Sequence, residues 1–207
     1  MAQFFEIHPD NPQKRLIQQA VQIIDRGGLI IYPTDSSYAL GCHIGDKRAM
    51  ERIQRLRKVD SKHHFTLVCS DLSEIGTYAK VDNSAYRLMK TLTPGPYTFL
   101  LPATSEVPRR LMNPKRKTIG VRVPDHRITH ALLEELGQPI MSSTLIEPGA
   151  DLPLDDPEEI REKYQKQVDL IIDGGHCGHE PTTVISLIDG IPEIVRKGKG
   201  DIAFLEG

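Results

Sequence analysis

Tryptophan is absent from the 207 residues, and five Phe and six Tyr supply all the aromatic rings. With so few rings and no RRM-like aromatic motif, recognition of nucleic acid by base stacking is disfavoured, and any such contact falls to the backbone. Neither GxxxxGK[ST] nor GxGxxG occurs, so the familiar phosphate loops are excluded and a nucleotide site would have to be assembled from scattered residues. Cysteine is scarce as well: Cys42, Cys69 and Cys177 are odd in number and unclustered, which predicts free thiols in a reducing compartment. No apolar run approaches the length that spans a bilayer. The opening MAQFFEIHPD shows no basic stretch followed by an apolar core, so no signal peptide is expected and the expected location is the cytoplasm. Repeats, low-complexity segments and linkers are also lacking, which makes residues 1–207 a single domain in the simplest division.

What is present is ordinary in bulk and uneven in distribution. Hydrophobic residues make up 39% and charged residues 26%, proportions of a globular chain with a substantial core. The net charge of −2 hides an asymmetry: positions 47–127 hold 17 Lys/Arg against 7 Asp/Glu, a net of +10, and the remainder carries −12. Such a basic middle suits a polyanion or nucleotide phosphates if the fold gathers it on one face, and means little if the fold scatters it.

The central stretch is 29–43, LIIYPTDSSYALGCH. An apolar run leaves Gly27-Gly28 and stops at Pro33, as a buried strand does. Four small polar residues, Thr34, Asp35, Ser36 and Ser37, then precede a second apolar run at 38–42. A core strand with a polar tip is how α/β proteins present a site; an ordinary strand–turn–strand is the alternative. Around it we expect strands at 4–7, 65–69, 97–101, 118–123, 139–145, 170–172, 183–188 and 193–196. Helices are expected from Pro12 to Ile24 behind an Asp10 or Asn11 cap, from an Asp46 cap to about Arg57, over 82–92, over 127–136 ended by Gly137, and after Asp156-Pro157. In the strand at 118–123, Ile119, Val121 and Val123 share one side and Arg122 points to the other. The early alternation of strands and helices with hairpin-like strands at the end predicts a mixed sheet.

Two histidine groups invite a metal reading. His126 and His130 are four apart on a helix but lack the glutamate of HExxH, and His176-Cys177-Gly178-His179 lacks the paired spacing of structural zinc. A satisfied helix histidine and an exposed loop are the plainer readings, so no metal site is assigned. Arg109-Arg110 and Lys115-Arg116-Lys117 form a short basic run, solvated or in contact with phosphate.

YPTDSSYALGC at 32–42 resembles the Y-P-T-[DE]-[ST]-x-Y-x-L-G signature of the YrdC-like, threonylcarbamoyl-AMP synthase family. Further matches follow in the family's order: Pro94-Gly95-Pro96-x-Thr98, Gly120-Val121-Arg122-Val123-Pro124, Gly137-x-Pro139-Ile140, the segment 169–175, Pro181-x-Thr183-Val184 and Val195-Arg196-x-Gly198. They span almost the whole chain. Its length, the HPDNP opening and the FTLVC strand are most similar to the YciO branch. The resemblance implies an α/β fold with an open, twisted sheet, mixed or mostly antiparallel, flanked by helices. It also implies a reaction in which L-threonine, bicarbonate and ATP give threonylcarbamoyl-AMP and pyrophosphate, for later transfer to a tRNA adenosine. ATP would enter as a substrate, with Mg²⁺, and no tightly bound cofactor is implied. Bringing two anions together puts the catalytic weight on positioning and on cationic or N–H stabilisation.

By the same resemblance, Thr34, His63, Arg122, Thr144 and Thr182 are expected at the small substrates, and Arg57, Lys58, Thr98 and Arg196 at the nucleotide. Arg122 would hold a carboxylate or phosphate through its fork. No residue is assigned to the chemical step itself. Two family motifs are degenerate. Alignment puts Arg57 and Val59 where the family has Lys-x-Arg, and Thr144 and Ile146 where it has Ser-x-Asn. Losing one transition-state contact of that kind costs about 3–4 kcal/mol, or roughly 10²–10³ in rate, so the implied activity is weak or altered. Lys58, Lys62, His63 and His64 lie close enough in sequence to substitute. The alternative is a non-catalytic protein that binds double-stranded RNA or tRNA through a basic cleft, with steep salt dependence and little sequence preference.

Overall fold

In the computed structural model, which describes residues 1–60 and 63–205, the strands form one ten-stranded sheet. They are β1 (Gln3–Glu6), β2 (Ile30–Tyr32), β3 (Ala39–His43), β4 (Thr66–Val68), β5 (Tyr97–Pro102), β6 (Thr118–Arg122), β7 (Ile140–Thr144), β8 (Leu170–Asp173), β9 (Thr183–Ser186) and β10 (Glu193–Arg196). The helices are α1 (Lys14–Asp25), α2 (Lys47–Arg57), α3 (Leu72–Tyr78), α4 (Asn83–Leu92), α5 (Arg127–Leu136) and α6 (Pro157–Tyr164). Strand order is β1-β8-β2-β3-β7-β4-β6-β5-β9-β10. The β1–β8, β2–β8, β4–β6 and β5–β9 pairs are parallel and the others antiparallel, so the expected mixed sheet is what forms. No helix among the described residues is long and apolar enough to cross a membrane.

Local chemistry accounts for most element ends. The Asp46, Asp82 and Asp156 carboxylates accept from the amides of Ala49, Ala85 and Glu158, starting α2, α4 and α6, with Pro157 at the first helical position. Gly137 ends α5 with φ 69°, a left-handed conformation that favours glycine. The expected cap at Asp10 or Asn11 does not form. The Asp10 and Asn11 amides both donate to His8 Nδ1, and the chain enters α1 only after Gln13. That local turn uses up the polar groups that would otherwise cap the helix. Helix α3, capped by Asp71, is an element that periodicity did not indicate.

Period-2 alternation divides the core between the two faces of the sheet. On one, Ile31, Leu40, Leu67, Val121 and Met141 pack beneath residues of α2, α3, α4 and α6. On the other, Ile30, Tyr32, Ile140, Leu170 and Ile172 pack beneath α1 and α5 through Ile17, Val21, Ile24, Ile128 and Leu132. The second cover is partial. It reaches Val68 of β4, whereas on the same face β6, β5 and β9 present Gly120, Arg122, Thr98, Leu100 and Val184 to a cavity. Arg122 does point away from Ile119, Val121 and Val123, as the alternation requires.

Candidate functional site

The cavity on that bare half-face encloses about 460 Å³, a volume suited to a small-molecule ligand. Thr34, His63, Arg122, Thr144, Thr182, Arg57, Thr98 and Arg196 all line it. Lys58 does not. It terminates α2 in the left-handed conformation at φ 48° and lies exposed, and that turn sends its side chain to other surface clefts. Val59 is likewise absent from the lining, while His64 and Ile146 belong to it. Lys62 lies outside the described residues. Ser36 and Ser37 of the polar tip and Arg116 of the basic run line it as well, together with Thr66, Asn113, Ser142 and Ser143, which the sequence had not singled out. The hydroxyl run Ser142-Ser143 leading into Thr144 at the end of a strand was the available signal for two of these positions.

The floor is a hydroxyl turn. Thr34 Oγ1 donates to the Ser37 carbonyl at 2.6 Å and accepts from the amides of Ser36 and Ser37, both at 3.2 Å. Its hydroxyl is therefore committed inside the loop, and Thr34 shapes the floor by closing this side-chain turn. Arg122 pairs with Asp35, both side chains 9% exposed, and its Nη1 donates to Ser36 Oγ at 3.2 Å. Asp35 Oδ2 accepts from the Asp125 amide at 2.8 Å, and the Asp35 carbonyl accepts from Lys199 Nζ. The fork expected to hold a ligand is thus partly occupied by Asp35, and Arg122 Nε is buried with no hydrogen-bond partner among the described residues.

Two further groups form the walls. Thr98 and Thr182 share a hydrogen bond at 2.8 Å between hydroxyls, and Arg196 donates to the Thr182 carbonyl from Nε and Nη2 at 3.2 and 2.9 Å. Gly198 makes this crossing possible, because a Cβ there would stand 2.3 Å from the Pro181 carbonyl oxygen. On the opposite wall the β4–β7 ladder ends at the Thr66–Ser142 pair, and Arg57 and His63 meet on the next residue, Ser143. Arg57 Nη1 donates to Ser143 Oγ at 2.6 Å and to the Thr144 carbonyl at 2.7 Å, and His63 Nε2 lies 2.9 Å from the same Oγ. Burial, and then the charges of Arg57 and His64, pull the His63 imidazole down to about 4. Burial also lowers the Arg57 guanidinium from its ordinary value, and its Nε is buried without a partner.

Among the described residues the lining carries four arginines, Arg57, Arg116, Arg122 and Arg196, and no carboxylate. Its charge suits anions, and the oxygens it offers a cation are uncharged, from serine and threonine hydroxyls and the Asn113 amide. Elsewhere, His126 caps α5, its Nδ1 accepting from the Ile128 amide. Asp155 accepts from the amides of Cys177 and Gly178 and meets His176 Nδ1 at 2.9 Å. Among the described residues no group of three or more His, Cys, Asp or Glu is placed to hold a metal.

An open mixed sheet with one half-face left bare for a ligand defines a particular class of α/β protein, and sequence comparison identifies it: the chain belongs to the Sua5/YciO/YrdC family, described as telomere recombination, whose model matches residues 22–198. Within it, the chain is 61% identical over 202 residues to the uncharacterized protein YciO of Escherichia coli K12, covering 98% of each. The crystal structure of that protein superposes with a TM-score of 0.95 over 98% of both chains. A threonylcarbamoyl-AMP synthase of Nitrosococcus oceani is 32% identical over 159 residues, 76% of this chain and 85% of the relative. Sua5 of P. abyssi, solved in complex with L-threonine, aligns at a TM-score of 0.86 and 27% identity, covering 94% of this chain and 57% of that one.

Proposed function

We propose that this chain joins a small amino acid, bicarbonate and ATP into a carbamoyl adenylate, with L-threonine as the first amino acid to test, at a rate below that of the threonylcarbamoyl-AMP synthases it resembles. The observation that carries this reading is the convergence of Thr34, Arg122, Thr98, Thr182 and Arg196 on one cavity whose lining, among the described residues, contains arginines and no carboxylate. An amino-acid carboxylate, a carbamate and a triphosphate are all anions, and guanidinium groups held in a low-dielectric concavity both bind them and stabilise charge moving onto pyrophosphate. The donor set does not fit a resident magnesium ion, so a metal would arrive on the triphosphate. Ile146 stands in the lining where the family signature has asparagine, which supports the reduced rate.

Pyrophosphate release from ATP, bicarbonate and L-threonine tests the reading. Release that requires all three substrates is expected; no release, together with no ATP binding by calorimetry, refutes it. Ile146→Asn restores a polar group to the wall and should raise the rate by roughly tenfold or more, since one such contact is worth about 10²–10³ when fully formed.

A second reading, binding of double-stranded RNA or tRNA, draws on the exposed basic stretch at 109–117, whose Arg116 reaches the cavity. Binding would then weaken steeply between low and high salt; affinity unchanged by salt would refute it.

A further inference from the structure

The reaction as proposed above assigns no role to the group formed by Arg57, Ser143 and His63, and the hydrogen bonding of that group is constrained by elementary bookkeeping. An arginine only donates, so one lone pair of Ser143 Oγ is taken by Arg57 Nη1 at 2.6 Å. Among the described residues the remaining hydrogen-bond partner of that oxygen is His63 Nε2 at 2.9 Å. If Nε2 carried the proton, Ser143 would accept twice and its own hydrogen would have no acceptor on this buried, 6% exposed side chain. With the proton on Nδ1, Ser143 donates to Nε2, and its second lone pair remains open toward the cavity that Ser143, Arg57 and His63 all line. The imidazole is held in place by an edge-on contact with Phe65, ring centroids 5.2 Å apart.

We propose that His63, acting through the Ser143 hydroxyl, accepts the proton that the amino-acid substrate's ammonium releases on its way to the carbamate. The inference rests on the reaction proposed above and deepens it. The step balances as follows. The ammonium and bicarbonate give carbamate, water and one proton. An N–C bond forms, while two N–H bonds and the bond from the bicarbonate carbon to the leaving oxygen break. Of the two protons shed by nitrogen, one completes the water and the other goes to the relay. The substrate N–H donates to the open lone pair of Ser143 Oγ, the Ser143 hydrogen passes to His63 Nε2, and the imidazolium later loses a proton to solvent. Arg57 remains charged throughout and keeps Ser143 oriented.

Charge around the imidazole suits this cycle. Arg57 at the end of α2 and the neighbouring His64 disfavour imidazolium, and Asp60 on the preceding loop favours it. In the free site burial and then the Arg57 charge prevail, so His63 stands neutral and ready to accept. A carboxylate and a triphosphate entering the same cavity add negative charge and raise its proton affinity when the proton has to be taken.

Two measurements test the proposal. The first uses the unmodified protein without substrate: a long-range ¹H–¹⁵N spectrum of the histidine rings, with His63 assigned by comparison with His63→Gln, should show Nε2 as the unprotonated nitrogen at pH 7. A protonated Nε2 overturns the relay whatever the turnover. The second is the pyrophosphate assay on His63→Gln, whose amide can still bond Ser143 but cannot carry the proton. A fall of about 10²-fold is expected at pH 7, with ATP affinity retained and the dependence of rate on pH between 5 and 8 flattened. Ser143→Ala should fall comparably, and the double variant no further. A His63→Gln enzyme with the parent's rate and pH profile overturns the proposal. Absence of turnover in the parent protein with Nε2 unprotonated refutes the reaction proposed above and leaves the hydrogen-bond assignment standing.

Discussion

Asp35 and Arg122 illustrate how tightly individual residues are committed here. Each side chain is 9% exposed, and removing one member of such a pair strands a buried charge. Asp35→Asn should therefore destabilise the protein by about 3–5 kcal/mol, read as a lowered midpoint in urea; an unchanged midpoint would mean that the ion pair is dispensable. Thr34→Ser keeps the hydroxyl that closes the 34–37 turn and should be tolerated, whereas Thr34→Ala leaves two amides unpaired and should cost about 1–3 kcal/mol. His63 also gives stability a sign in pH. Its folded value of about 4 lies below the ordinary 6.5, so between those values the unfolded chain binds more protons, and stability falls as pH drops through that window. In His63→Gln this contribution is absent, so the loss of stability from pH 6.5 to 4 should be smaller than in the parent protein. The sequence showed most of these residues as members of a motif, because residue identity and order lie on the surface of a sequence. It did not show that Asp35 occupies Arg122 or that Arg57 and His63 meet on Ser143, since those partners are 87, 86 and 80 positions apart.

At the scale of elements, legibility followed local chemistry. Helices α2, α4, α5 and α6 were readable from Asp46, Asp82, Gly137 and Asp156-Pro157 because caps act within a turn of their own backbone. Helix α3 was not, since seven residues with Gly76 in the middle make too short a period to stand out. The start of α1 was misplaced because a contact between His8 and two backbone amides overrode the Asp-Asn-Pro signal. Strand β6 offers an element-scale test. A Cβ on Gly120 would lie 3.3 Å from Thr66 Oγ1 and 3.5 Å from Thr98 Cγ2, so a branched side chain there would fill the cavity floor without entering the opposite core. Gly120→Val should reduce ATP binding by at least about tenfold, as calorimetry can show, while the protein still unfolds in one cooperative transition. ATP affinity equal to the parent's would place the ligand elsewhere.

Over the whole molecule, the two helical layers protect the sheet unequally. Strands β2, β8 and β3 are enclosed on both faces, whereas β10 ends the sheet with Val195 56% exposed. Native-state hydrogen exchange should accordingly be slowest in β2 and β8 and fastest among the strands in β10; uniform rates across the sheet would contradict this gradient. The basic middle of the sequence is dispersed by the fold over α2, α4 and the 109–117 stretch, and its contribution to the cavity comes down to Arg57, Arg116 and Arg122, with Arg196 joining from the acidic C-terminal part. A linear charge count could not foresee that partition, because it depends on which strands become neighbours.

The lysine that ties the floor loop to the end of the chain has a consequence in time. Lys199 reaches Asp35 across 164 positions, and Thr98 reaches Thr182 across 84. During synthesis the floor motif emerges well before Thr182 and Arg196, which complete the wall that begins at Thr98. A growing chain thus carries the signature long before it has a cavity, and the cavity is complete only when nearly every strand has found its place. Any ligand bound there would consequently report that the sheet has assembled from β2 through β10, and a product truncated before Thr182 would be silent.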